Sequence, residues 1–175
     1  VGTWTAFFFF VEKVGGMELK VSHVARNLFM LGFVVAQGMQ QTTRTYVSGM
    51  IGEGRSAELK VTLRRIFLLN FGGILLLCHG FILYPETLAS VFFDDGEGFH
   101  AMTRTFKVVF VAVLLESLSG VFRSTIQGMG STVQAFWVEL VTVTLYLIVA
   151  ASMTLWWPQP IWVIWRVEWV YFSCI

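Results

Sequence analysis

Charge is scarce in this chain: only 13% of its 175 residues are Asp, Glu, Lys or Arg, against roughly 25% in a soluble domain. That scarcity excludes an ordinary water-facing globular surface. Cysteine is nearly absent as well. Cys78 and Cys174 stand in apolar runs, with no CxxC spacing and no histidine in ligand register, so they read as small hydrophobes rather than a metal or redox site. No HExxH, GxSxG or Walker pattern occurs, and His23, His79 and His100 fall in different segments. The familiar soluble-enzyme constellations are thereby excluded, and the chain is expected not to be an enzyme. A net charge of +1 offers nothing to attract nucleic acid or an acidic polymer. The first residues, VGTWTAFFFF, lack the positive start and the cleavage site of a signal peptide. The last, YFSCI, stand inside an apolar run. Both ends lead us to expect a fragment of a longer polytopic chain.

What the sequence has in abundance is apolar surface: 56% hydrophobic residues, 16% aromatic residues and a mean hydropathy of +0.71. An all-α integral membrane protein is the expected class. A helix needs about 20 mainly apolar residues to cross the hydrocarbon. Clusters of Gly, Pro and charge divide the chain into six candidate helices, at residues 1–14, 19–51, 57–84, 99–127, 132–157 and 161–175. Their connections, GGME, GEGRS, the acidic PETLASVFFDDGEG, GMGS and PQP, each carry a residue that stops a helix.

Lys and Arg near helix ends mark the cytoplasmic side. Arg55, Lys60, Arg64 and Arg65 place the second connection there, with Arg44 nearby, and Arg123 places the fourth. The third connection, with Glu86, Asp94, Asp95 and Glu97, faces outside, as does WWPQP. Trp156, Trp157 and Trp162 form an interfacial belt beside it. The expected topology is a six-transmembrane-helix bundle with the first helix leaving the cytoplasm and the last returning to it.

Several residues do not belong in lipid. The second segment concentrates Gln37, Gln40, Gln41, Thr42, Thr43, Arg44, Thr45 and Ser48 on about three turns, too much polar circumference to face acyl chains. It is either buried in the bundle or lines a water-filled cavity, and the two are compatible. Arg26 and Asn27 guard a cavity mouth or snorkel. Glu139, two turns after a cytoplasmic loop, is expected at the interface. Arg166 and Glu168, two residues apart, point to different faces, so each needs its own partner on a neighbouring helix. Glu168 also stands as a candidate for the cavity wall. Glu116 is deeper than the others, midway along its segment, where a short acid snorkels poorly. It is either a protonated structural carboxyl or a proton or cation binder whose occupancy biases conformation. Ser117 and Ser119 beside it offer oxygen partners.

The stretch VSHVARNLFMLGFVVAQGMQQTTRTYVSGMIGEGRSAEL, continuing to PETLASVFFDD, resembles the first membrane hairpins in the C-terminal half of MATE (multidrug and toxic compound extrusion) transporters. VSGMIGEGR is similar to the family's VGxxLGxGR helix end. GVFRSTIQGMGSTVQAFWVEL is similar to its LRGxGdT turn, with Gln127 and Gly128 where Arg and Gly are usual, and IWVIWRVEWVYF is similar to its final helix.

The resemblance implies one six-helix lobe, helices seven to twelve of a twelve-helix MATE-like fold, with residues 1–175 as the C-terminal lobe and the N-terminal lobe of the same protein as its missing partner. It implies a secondary antiporter in a plasma membrane, the inner membrane in a bacterium, exchanging small organic and often cationic compounds for Na⁺ or H⁺ without a bound cofactor. In sodium-coupled members a carboxylate stands eleven residues before the arginine of the turn, and Glu116 stands eleven residues before Gln127. The resemblance thus marks Glu116 as the site for the coupling Na⁺ or proton. A lipid-linked oligosaccharide flippase of the same superfamily and a non-transporting membrane scaffold stay open as alternatives.

Overall fold

The computed structural model describes residues 2–94 and 96–174. Its elements are α1 (Gly2–Glu12), α2 (Gly16–Gly52), α3 (Leu59–Cys78), α4 (Gly80–Leu83), α5 (Pro85–Ala89), α6 (Glu97–Gly128), α7 (Thr132–Ala151), α8 (Ile161–Ile164) and α9 (Val167–Cys174), with a 3₁₀ turn at Ser56–Glu58 and a π turn at Ser152–Trp156. No strand occurs among the described residues, so the chain is an all-α protein. Among the described residues, four stretches are long and apolar enough to cross a membrane: Gly16–Gly52, Ser56–Cys78, Glu97–Gly128 and Thr132–Trp156. At 11 residues α1 falls short of the usual span, and the final segment is divided into pieces of 4 and 8 residues.

Three expected boundaries are refined. The segment 57–84 breaks after Cys78, so its last residues form the separate turn α4. The acidic connection is not a plain loop, because Pro85 starts α5 and Ala89 is fully buried. Asp95 of that connection lies outside the described residues. The final segment is interrupted between Ile164 and Val167.

The centre of the fold is α6. Its most apolar stretch is 61% buried, whereas those of the other three candidate spans reach only 22–33%. Against it lies α2, and the pair meets through glycine. A Cβ on Gly98 would meet Met17 Sδ at 2.8 Å, one on Gly32 would meet Val113 Cγ1 at 2.5 Å, and one on Gly128 would meet Val47 Cβ at 2.8 Å. In each of these pairs the α6 residue is numbered 81 above its α2 partner. The constant offset means that the two helices run parallel and in step, approaching as closely as small residues permit. Helix α3 packs antiparallel to α6, with Asn70 Nδ2 donating to the Ser117 carbonyl at 2.9 Å and Phe81 of the following turn α4 stacked on Phe106.

Aromatic packing closes one side. Trp165 is fully buried, lies 5.7 Å from Trp4 and 5.5 Å from Phe7 between ring centroids, and donates Nε1–H to Ser22 Oγ at 3.1 Å. It therefore ties α1, α2 and the final segment together. Elsewhere α3 and α7 expose apolar side chains such as Leu69, Leu76, Val133 and Val141, as expected of helices solvated by lipid.

The glycine contacts predict opposite responses to one methyl group. In the full-length protein, Gly128→Ala places its Cβ 2.9 Å from the Arg44 carbonyl oxygen, a backbone atom with little freedom to retreat, and should cost about 1–3 kcal/mol. Gly38→Ala, with nothing within 4 Å, should leave stability unchanged or raise it by up to about 1 kcal/mol. Unfolding midpoints in detergent check this, and equal losses in both variants would contradict the α2–α6 contact.

Candidate ion site

Glu116 stands nineteen residues after the start of α6 and twelve before its end, on the buried side of the helix and fully shielded from solvent. The in-step packing brings Gln40 of α2 to it, and Gln40 Nε2 donates to Glu116 Oε1 at 2.8 Å. Gly120, one turn further along α6, makes this possible, since a Cβ there would fall 2.1 Å from Gln40 Nε2. Two turns along from Glu116, Arg123 points back at it. Arg123 Nη2 lies 3.6 Å from Glu116 Oε1 and donates to Gln40 Oε1 at 3.2 Å, while Nη1 lies 3.4 Å from Glu139 Oε2 on α7.

The network continues into α9. Tyr171 donates its hydroxyl to Glu139 Oε1. One turn before it, Glu168 is buried and accepts a 2.8 Å bond from the Tyr146 hydroxyl of α7. Glu116, Arg123, Glu139 and Glu168 all line one cavity of about 280 Å³, walled on its apolar side by Trp4, Phe29 and Phe172. A second cavity of about 570 Å³ shares Gln37, Arg123 and Glu139 with the first and adds Gln40, Arg44 and Gln127. Three carboxylates therefore surround a single guanidinium in the smaller space.

The site residues expected from sequence are not all gathered here. Glu116 and Gln40 are bonded to each other, Gln37 lines both cavities, and Glu168 lines the first. Asn27 and Gln41 are exposed on α2 and are not among the residues lining these two cavities. Neighbouring Arg26 instead covers the Phe8 ring at 5.0 Å. Ser117 and Ser119 do not bond the Glu116 carboxylate: Ser119 Oγ donates to the Glu116 carbonyl at 3.5 Å, and Ser117 Oγ is buried without a partner. Glu116 Oε2 is likewise buried and unpartnered. Glu139, expected at the interface, has a side chain 39% exposed and joins the network through Arg123 and Tyr171. The Arg166 guanidinium sits over Trp169 of its own segment at 5.7 Å.

Arg123 is the member that sequence reasoning missed, having counted it only among loop charges. Its signal was the seven-residue spacing from Glu116, which puts both on one helix face. The two tyrosines had no such signal, because their partners lie on other helices.

Among the described residues, no group of three or more His, Cys, Asp or Glu is arranged to hold a metal ion. The oxygens open to a monovalent cation or proton at Glu116 are fewer: Oε2 has no partner, whereas Oε1 is shared between Gln40 and Arg123.

Removing one donor tests the depth of the network. Tyr146→Phe deprives the buried Glu168 of its hydroxyl partner and should cost the full-length protein about 1–3 kcal/mol. Tyr84→Phe, at a side chain 58% exposed, should change stability by no more than about 0.5 kcal/mol. Thermal unfolding of the two variants decides, and a Tyr146→Phe protein as stable as its parent would show that Glu168 needs no donor.

In comparison with known proteins, the MatE family model fits residues 4–161. No curated protein and no solved structure matches the chain. The matched residues run from α1 through the long helices to the start of α8 and include Glu116, Gln40, Arg123 and Glu139. With apolar helices of membrane-crossing length and nearly all of its sequence accounted for by that one family, this chain belongs to the MatE family of membrane transporters.

Proposed function

We propose that the chain forms the C-terminal six-helix lobe of a twelve-helix secondary antiporter. Such a protein exports small organic, often cationic compounds in exchange for Na⁺ or H⁺ by alternating access, and it resides in a plasma membrane, the inner membrane in a bacterium. The observation that carries this reading is Glu116: a fully buried carboxylate, midway along a membrane-length helix, at the edge of a cavity. Burying an acid at that depth is costly unless its charge is used. Its unpartnered Oε2 gives an arriving proton or cation a ligand.

Mechanistically, Glu116 accepts the coupling cation, and Gln40 holds the carboxylate against α2 through its 2.8 Å bond. Occupancy changes the charge balance of the cavity, so it favours one arrangement of the two lobes over the other. Substrate favours the opposite arrangement, and each drives out its rival. Trp4, Phe29 and Phe172 supply flat apolar walls for an organic cation. A lipid-linked pyrophosphate cargo suits this cavity poorly, because three carboxylates would face it with one guanidinium to offset them. A scaffold could select its helix register with neutral donors and acceptors, and would leave the unpartnered Glu116 Oε2 without a use.

In vesicles containing the full-length protein, Glu116→Gln should abolish efflux of a fluorescent organic cation driven by an imposed Na⁺ or pH gradient, a loss of at least about tenfold in rate. Downhill substrate leak should persist. Gradient-driven efflux at the parent rate would remove Glu116 from the coupling role.

A further inference from the structure

The guanidinium of Arg123 is divided between two carboxylates, with a long hydrogen bond to Glu139 and an ion pair without a hydrogen bond to Glu116. A settled Arg–carboxylate bond is about 2.7–2.9 Å, yet Arg123 lies 3.6 Å from Glu116 on its own helix and 3.4 Å from Glu139 on α7. Gln40 fixes this halfway position, accepting from Nη2 at 3.2 Å and donating to Glu116 at 2.8 Å. Glu139 is steadied from the far side by the Tyr171 hydroxyl. Only 17% of the Arg123 side chain is exposed, so solvent does little to screen these contacts.

A cation arriving at Glu116 must meet this resident charge. Two positive charges a few ångströms apart around one carboxylate repel strongly in a poorly solvated site, so the newcomer binds only as Arg123 withdraws. The side chain has somewhere to go, because Glu139 already stands within reach on α7.

We propose that Arg123 is a tethered competitor of the coupling cation: it neutralises Glu116 while that cation is absent and transfers to Glu139 when a proton or Na⁺ occupies Glu116. The transfer tightens α6 against α7 at the wall shared by the two cavities, and it releases the Gln40 amide oxygen. Ion occupancy on α6 thereby becomes a tighter contact between α6 and α7. No bond is made or broken beyond hydrogen bonds and ion pairs, and the charge arriving with the cation equals the charge leaving Glu116.

The groups that face Arg123 are Gln40 from α2, Glu116 from its own helix, Glu139 from α7 and, through Glu139, Tyr171 from α9. Glu168 with Tyr146 completes the acidic side of the cavity. Arg44, the other cation nearby, is engaged with Gln127.

This inference rests on Glu116 as the coupling site, and the test separates the two. Full-length protein in vesicles is assayed for the half-saturating Na⁺ concentration of efflux at fixed pH, and for its pH dependence without Na⁺. Removing the competitor with Arg123→Gln should lower the half-saturating cation concentration about tenfold, while Arg123→Lys, which keeps the charge, should restore the parent value to within about threefold. Glu139→Gln, which leaves the guanidinium only Glu116, should raise it about tenfold. Opposite shifts are the decisive sign, since mere loss of structure would move both variants the same way. Where Arg123→Gln fails to fold, the direction of the Glu139→Gln shift decides alone. Loss of all cation dependence in Glu116→Gln, together with unmoved half-saturation in the Arg123 and Glu139 variants, overturns the competition and keeps the coupling role. Cation dependence that survives Glu116→Gln overturns the coupling role, and the competition with it.

Discussion

The parallel contact between α2 and α6 is the constraint on which the rest of the structure depends. Because the two helices stay in step from Gly98 beside Met17 to Gly128 beside Val47, each residue on the contact face of one helix has a fixed counterpart on the other. Gln40 reaches Glu116 only at this closeness, and only because Gly120 has no side chain to block it. Slide one helix by a turn and the Gln40 amide would no longer lie opposite Glu116, leaving the buried acid without that donor. In a bilayer, where apolar surface gives helices little reason to prefer one another, small residues and interhelical hydrogen bonds are what select a partner and a register.

A buried network of this kind is poor evidence of stability. Desolvating an arginine and its carboxylates costs as much as their attraction returns, and a well-packed apolar set of similar volume is often at least as stable. What the network supplies is choice. One guanidinium stands among three carboxylates, two of which hold it at comparable distance. Small changes of occupancy at one acid therefore have a defined structural consequence at the other. Tyr146 and Tyr171, donating to Glu168 and Glu139, keep the remaining acids in place without adding charge.

Much of this arrangement was legible in the sequence. Low charge and long apolar runs specified an all-α membrane protein, and Gly and Pro clusters located the ends of the long helices to within a few residues. The extra α5 turn was hidden because PETLA is too short to show a helical period, and what holds it is the burial of Ala89. Glu116 stood out by depth alone. Arg123 did not, because a count of charge near helix ends treats an arginine five residues from the end of α6 as part of the loop. Asn27 and Gln41 were drawn toward the cavity by their polarity, but their helix turns them outward: 3.6 residues per turn places Gln40 inside and its neighbour Gln41 outside.

The sequence by itself determined the solvent, the class of fold, the family resemblance and the one acid too deep to be incidental, because each of these depends on composition or on spacing within a single segment. Only the tertiary structure decided which groups meet that acid. Gln40 is 76 residues away, Glu139 bridges from α7 through Arg123, and Tyr171 reaches Glu139 from α9. No periodicity along the chain encodes such meetings. They follow from how close the glycines let two helices come and from which faces are then left to the third and fourth.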